Sequence, residues 1–143
     1  MTPETIQVTD VEFDKLEAAF SQDVKHNPKL KKAARKNDEA HLQAAILIAW
    51  GSHPRLRIAR VNTGAAMLNG RLVKFGVPGT GDLVGLIAPT GRMLQIEVKT
   101  AKGKQREAQT RMQRIVTQFG GLYVVARSVQ DVDAALAAEG ITR

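Results

Sequence analysis

The chain has 143 residues, 43% of them hydrophobic, which suits one ordinary domain built on a single core and argues against two. With 21 Lys and Arg against 14 Asp and Glu, its net charge of +7 favours a polyanionic partner such as nucleic acid over an anionic membrane surface. It has no cysteine, which excludes disulfides, zinc–thiolate sites and cysteine nucleophiles and suits a reducing cytoplasm.

The N-terminal stretch MTPETIQVTDVEFDK shows no basic segment followed by an apolar one, so no secretory signal is expected. The longest apolar run, AAILIAW, is far too short to cross a bilayer, and no membrane partner is expected. Thr9 and Glu12 have capping-box spacing, and Val11, Leu16, Ala19 and Phe20 recur at helical intervals, which predicts a short amphipathic helix ending near Ser21. A basic arm follows, carrying Lys25, Lys29, Lys31, Lys32, Arg35 and Lys36 among few large apolar residues. Residues 1–36 therefore form an N-terminal helix and arm, and residues 37–143 the main domain.

Asn37 can cap a strong helix, DEAHLQAAILIAW, stopped by Gly51, whose apolar content predicts burial on more than one side. LRIARVN reads as a strand, and AAMLNGRLVK as a hairpin turning at Asn69-Gly70. After the loop FGVPGTG, two strands near 82–87 and 93–100 flank the turn APTGR. REAQTRMQRIVTQF is a basic amphipathic helix stopped by Gly120 and Gly121, and LYVVARS is an apolar strand of the buried type. Ser128 and Asp131 then have capping-box spacing for a last helix.

The strand near 93–100 alternates: Leu94, Ile96 and Val98 point to one face, Gln95, Glu97 and Lys99 to the other. Folding the two strands back about Thr90 brings Asp82 alongside Glu97 or Val98. Like charges facing each other in a sheet are unfavourable, so the pair calls for a cation. Mg²⁺ accepts one or two carboxylates together with water and phosphate oxygens, and Lys99 beside it could orient water or stabilise charge on a phosphate. The alternative is that Asp82 closes a turn while Glu97 and Lys99 decorate an exposed strand face. His26, His41 and His53 lack zinc-ligand spacing, and Gly76, Gly79, Gly81 and Gly85 precede a strand instead of opening a helix, so they form no dinucleotide fingerprint.

An Asp at a strand start, a turn, and Glu-x-Lys on the next strand resemble the PD-(D/E)XK nuclease superfamily. EAHLQAAILIAW, RVNTGAA, GVPGTGDLVGLI, GRMLQIEVKTAKGKQREAQ and GGLYVVARSVQDV occur in the order of a VRR-NUC domain, the virus-type replication-repair nuclease module, over residues 39 to about 133. The sequence departs from that pattern in PGTGD, where extra small residues separate Pro78 from Asp82.

The resemblance implies an α/β restriction-endonuclease-like core, a central mixed sheet flanked by helices, and a metal-dependent DNA endonuclease using Mg²⁺ or Mn²⁺. By position it makes Asp82 and Glu97 metal ligands, adds the Val98 carbonyl as a further ligand and Glu39 as holder of a water or second cation, and makes Lys99 the catalytic lysine. Gln109 would support the site or contact DNA; on spacing alone it is a solvent-facing residue of a polar helix face. The basic arm, Asn62, Lys102 and Lys104 are the expected DNA contacts, although Asn62 equally suits a turn. Stand-alone members resemble homodimeric four-way (Holliday) junction resolvases of DNA repair, recombination or phage replication, which implies branched DNA, a homodimer, and the cytoplasm of a bacterial or phage-infected cell. A flap-processing nuclease and a non-catalytic nucleic-acid-binding module are the alternatives. Met67, Leu68, Leu72 and Val73 of the Asn-Gly hairpin supply either a dimer interface or part of the core.

Overall fold

The computed structural model describes residues 39–143. The expected short helix ending near Ser21, the basic arm and the Asn37 cap lie outside the described residues. The described elements are α1 (Glu39–Trp50), β1 (Leu56–Arg60), β2 (Gly64–Leu68), β3 (Arg71–Phe75), β4 (Leu83–Ile87), β5 (Arg92–Val98), α2 (Glu107–Gln118), β6 (Leu122–Ala126) and α3 (Val129–Ala138). The chain is a mixed α/β fold. No helix among the described residues is long and apolar enough to cross a membrane.

Four strands form a mixed sheet in the order β1-β4-β5-β6. The β1–β4 and β4–β5 pairs are antiparallel, while β5 and β6 run parallel, a pairing that needs a crossover and obtains it from α2. In the β4–β5 ladder Leu83 pairs with Ile96 and Ile87 with Arg92, so Asp82, one residue before β4, arrives opposite Glu97. That is the meeting the hairpin reading predicts.

Period-2 alternation then sorts the side chains. Leu56, Ile58, Leu83, Ile87, Leu94, Ile96, Val98, Val124 and Ala126 form the core face of the sheet, against Ile46, Leu47 and Trp50 of α1 and Val132 and Leu136 of α3. Trp50 satisfies its indole N–H with Asp133 Oδ1 at 2.8 Å, tying α1 to α3. Ser128 caps α3 as expected: its hydroxyl accepts from Asp131 N, and Asp131 Oδ2 accepts from Ser128 N. Burial of α1 is narrower than its composition predicts, because Ile48 is exposed while Ala44, Ile46, Leu47 and Trp50 are buried. A helix lying on one face of a sheet has one side against it, whatever its composition.

The second face of the sheet lies on the α2 side, where Val116 and Tyr123 are buried outside the main core. β2 and β3 stand apart as a two-stranded hairpin. Asn69 and Gly70 both have positive φ, 49° and 75°, as a type I′ turn requires. Met67, Leu68, Leu72 and Val73 are exposed on that hairpin, so of the two roles open to them packing into the core is excluded.

Candidate active site

Glu97 and Lys99 do not decorate an exposed strand face. They are 2% and 9% exposed, and Gln95 beside them 4%, so a row of polar side chains on β5 and the residue after it is buried on the α2 side of the sheet. Buried polar groups need partners, and here each has one. Lys99 Nζ lies 2.8 Å from Glu97 Oε1. The same Glu97 oxygen accepts from Gln109 Nε2. Gln95 Oε1 accepts from Gly81 N at 3.0 Å.

Asp82 is half-buried and its Oδ2 accepts from Val98 N at 2.8 Å. On its other side the Asp82 carbonyl accepts from Val61 N at 2.9 Å, which extends the β1–β4 ladder by one rung. The residue is thus held by both neighbouring strands. Val98 contributes to the site through its main chain, since its side chain belongs to the opposite core face.

Gln109 lies in the first turn of α2, where exposure is the default, yet it is half-buried. Its side chain works at both ends: Nε2 donates to Glu97, and Oε1 accepts from Arg106 N at 2.7 Å, satisfying a main-chain donor at the helix start. Glu39 opens α1, and its Oε1 accepts from Thr100 N at 3.4 Å. Asp82, Glu97, Lys99, Gln109 and Glu39 all line one pocket of about 450 Å³. Lys74 from β3 and Arg106 also line it, as cations that the sequence alone does not single out.

Asn62, Lys102 and Lys104 are exposed and do not line this pocket; Lys25, Lys29, Lys31, Lys32, Arg35 and Lys36 lie outside the described residues.

The electrostatics favour an added cation. Burial pushes the Asp82 carboxyl above its ordinary value, against the opposing pull of the Val98 N–H and the Lys99 charge. Burial also raises Glu97, against the hydrogen bond from Lys99, and the nearby Asp82 charge adds to the rise. Glu39 pushes both in the same direction. Burial, followed by the charges of Glu97 and Asp82, raises the Tyr123 phenol.

Two carboxylates whose burial and mutual repulsion outweigh the pull of Lys99, and of Arg60 on Asp82, fit a hard divalent cation. Among the described residues no three His, Asp or Glu side chains converge as a ligand set. An ion held by the two carboxylates would keep water or phosphate oxygens in its shell, as Mg²⁺ and Mn²⁺ do. Among the described residues Asp82 Oδ1 and Glu97 Oε2 make no hydrogen bond, which leaves one oxygen on each carboxylate for it.

No protein-family model, curated protein or solved structure matches the chain.

Proposed function

We propose that this chain is a metal-dependent DNA endonuclease of VRR-NUC type, with a restriction-endonuclease-like core of the PD-(D/E)XK superfamily. The observation that carries the reading is the meeting of Asp82, Glu97 and Lys99 in one pocket, with the lysine ammonium 2.8 Å from the glutamate. A solvated strand face would have no reason to bury that set.

In this reading Asp82 and Glu97 hold Mg²⁺ or Mn²⁺, with Glu39 within reach of a water or second cation. When bound, the ion supplies Lewis-acid polarisation of the scissile phosphate and makes water a competent nucleophile at neutral pH. Lys99 has three N–H donors and gives one to Glu97, which leaves others to orient the attacking water or to meet a phosphate oxygen. Gln109 fixes the rotamer of Glu97 by holding Oε1. Lys74 and Arg106 supply the positive wall along which a phosphodiester backbone runs, and the basic arm adds charge for phosphate.

The substrate is branched DNA and the working form a homodimer, because resolving a four-way junction needs two incisions related by a two-fold axis. The exposed Met67, Leu68, Leu72 and Val73 of the β2–β3 hairpin supply the apolar surface for the second copy.

A cleavage panel of single strands, duplexes, flaps and four-way junctions with Mg²⁺, Mn²⁺ or chelator tests the reading, beside Asp82→Ala and with sedimentation at micromolar concentration. Metal-dependent cutting lost in Asp82→Ala is expected, with junctions preferred and a dimer in solution. Cutting retained in the variant removes the metal assignment, and a monomer that cuts only flaps replaces junction resolution by flap processing.

A further inference from the structure

We propose that Gln95 is a positioning residue: its buried amide holds the Gly81 main chain and so, beside the bonds Asp82 makes to Val61 N and Val98 N, helps fix where Asp82 meets Glu97. Its link to metal rests on the nuclease reading above, whereas the clamp itself rests on the hydrogen bond alone.

Asp82 is presented by the segment 76–81, which belongs to neither sheet and carries Gly76, Gly79 and Gly81. Glycine-rich backbone has the most freedom to lose, so such a segment keeps one path only if something outside it supplies the restraint. Within the segment Thr80 N donates to the Val77 carbonyl at 3.1 Å. Two side chains of the sheet supply the rest. Gln95, 4% exposed, accepts from Gly81 N at 3.0 Å, and the Tyr123 hydroxyl reaches the Gly79 carbonyl at a longer 3.4 Å.

The backbone is pressed close at the same two points. A Cβ on Gly81 would lie 2.9 Å from the Ile96 carbonyl oxygen, and one on Gly79, where φ is +87°, 2.1 Å from that of Ala108. Glycine allows the approach, and the Gln95 bond holds it.

Gly81 immediately precedes Asp82, so freedom at Gly81 works against the bonds to Val61 N and Val98 N that hold Asp82 in place. Groups that orient a metal ligand without touching the ion are worth about 10–100-fold in affinity or rate. Gln95 lies in the alternating row of Glu97 and Lys99, so β5 and the residue just past it carry a ligand, a lysine and a restraint on the second ligand.

The test compares wild type with Gln95→Met, which keeps length and loses the amide acceptor, and Gln95→Glu, which keeps an oxygen for the Gly81 amide. Three quantities are read on the full chain: Gly81 amide hydrogen exchange without metal, Mn²⁺ binding by calorimetry without DNA, and the metal midpoint of single-turnover cleavage. Gln95→Met is expected to speed exchange at Gly81 by up to about tenfold and weaken Mn²⁺ binding by about 10–100-fold. Duplex binding in chelator should stay as in wild type, and Gln95→Glu should restore slow exchange. Unchanged Gly81 exchange in Gln95→Met overturns the clamp, as does a Gln95→Glu protein that exchanges as fast as Gln95→Met. Unchanged Mn²⁺ affinity with faster exchange overturns the link to the metal pair. A wild type that binds Mn²⁺ but cleaves no DNA sinks the nuclease reading and leaves this inference standing if Gln95→Met weakens the binding; a wild type that neither binds nor cleaves ends both.

Discussion

Gln109 and Glu97 belong to different elements, the first turn of α2 and the C-terminal end of β5, and one hydrogen bond joins them. Because Gln109 also accepts from Arg106 N, the start of the helix and the orientation of the carboxylate depend on the same amide. Gln109→Leu removes both bonds. It is expected to lower cleavage by about 10–100-fold, with a stability loss of only about 0.5–1.5 kcal/mol for each bond. Denaturant unfolding beside single-turnover kinetics checks the pair; a rate loss no larger than the lost folded fraction would reduce Gln109 to a helix cap.

Asp82 gives a pH-dependent prediction. Its carboxyl lies above the ordinary value chiefly through burial, so just above that ordinary value the folded state keeps a proton that the unfolded state has released. Stability therefore falls as pH rises through that window, and the full cost is present at neutral pH. Asp82→Asn keeps an oxygen for Val98 N and removes the charge. Without metal, its melting temperature should exceed that of wild type at pH 7, and the difference should close below about pH 3.9, the unperturbed Asp value. Added Mg²⁺ should raise the wild-type melting temperature and leave Asp82→Asn unmoved. A variant less stable than wild type by an equal margin at every pH contradicts the charge argument.

Lys99 is the compensating charge for Glu97, in a pair whose side chains are only 10% and 3% exposed. Lys99→Met strands that carboxylate, and removing one partner of a buried pair costs about 3–5 kcal/mol. Protonation of Glu97 relieves the strain, so the loss should shrink as pH falls. Turnover should drop at least about 100-fold, the scale of losing one charge-stabilising donor, while Mn²⁺ still binds, since an ammonium is not a ligand. Near-normal turnover at saturating metal would take the catalytic role from Lys99.

The basic arm, outside the described residues, makes a prediction about salt. Neutralising three of Lys25, Lys29, Lys31, Lys32 and Lys36 should flatten the slope of log K against log salt by up to about 3 units, because each phosphate contact releases counterions. Fluorescence anisotropy with a labelled duplex over a salt series measures it. An unchanged slope would make the arm a solvated segment that contacts no phosphate.

Local rules read from the sequence alone reached the alternation of β5, the Asn69-Gly70 turn, the Ser128 cap and the approach of Asp82 to Glu97, because each depends on neighbours in the chain or on one tight hairpin. Tertiary structure decided what the alternation leaves open. A period of two says that Gln95, Glu97 and Lys99 share a face and says nothing about what covers it; α2, the crossover between β5 and β6, brings Gln109 over that face and the row is buried. The inward turn of Gln109, the arrival of Lys74 and Arg106 at the pocket, and the reach of Gly81 to Gln95 across 14 residues have the same origin. They depend on how separate elements pack, and a partner supplied by packing leaves no periodic signal in the chain.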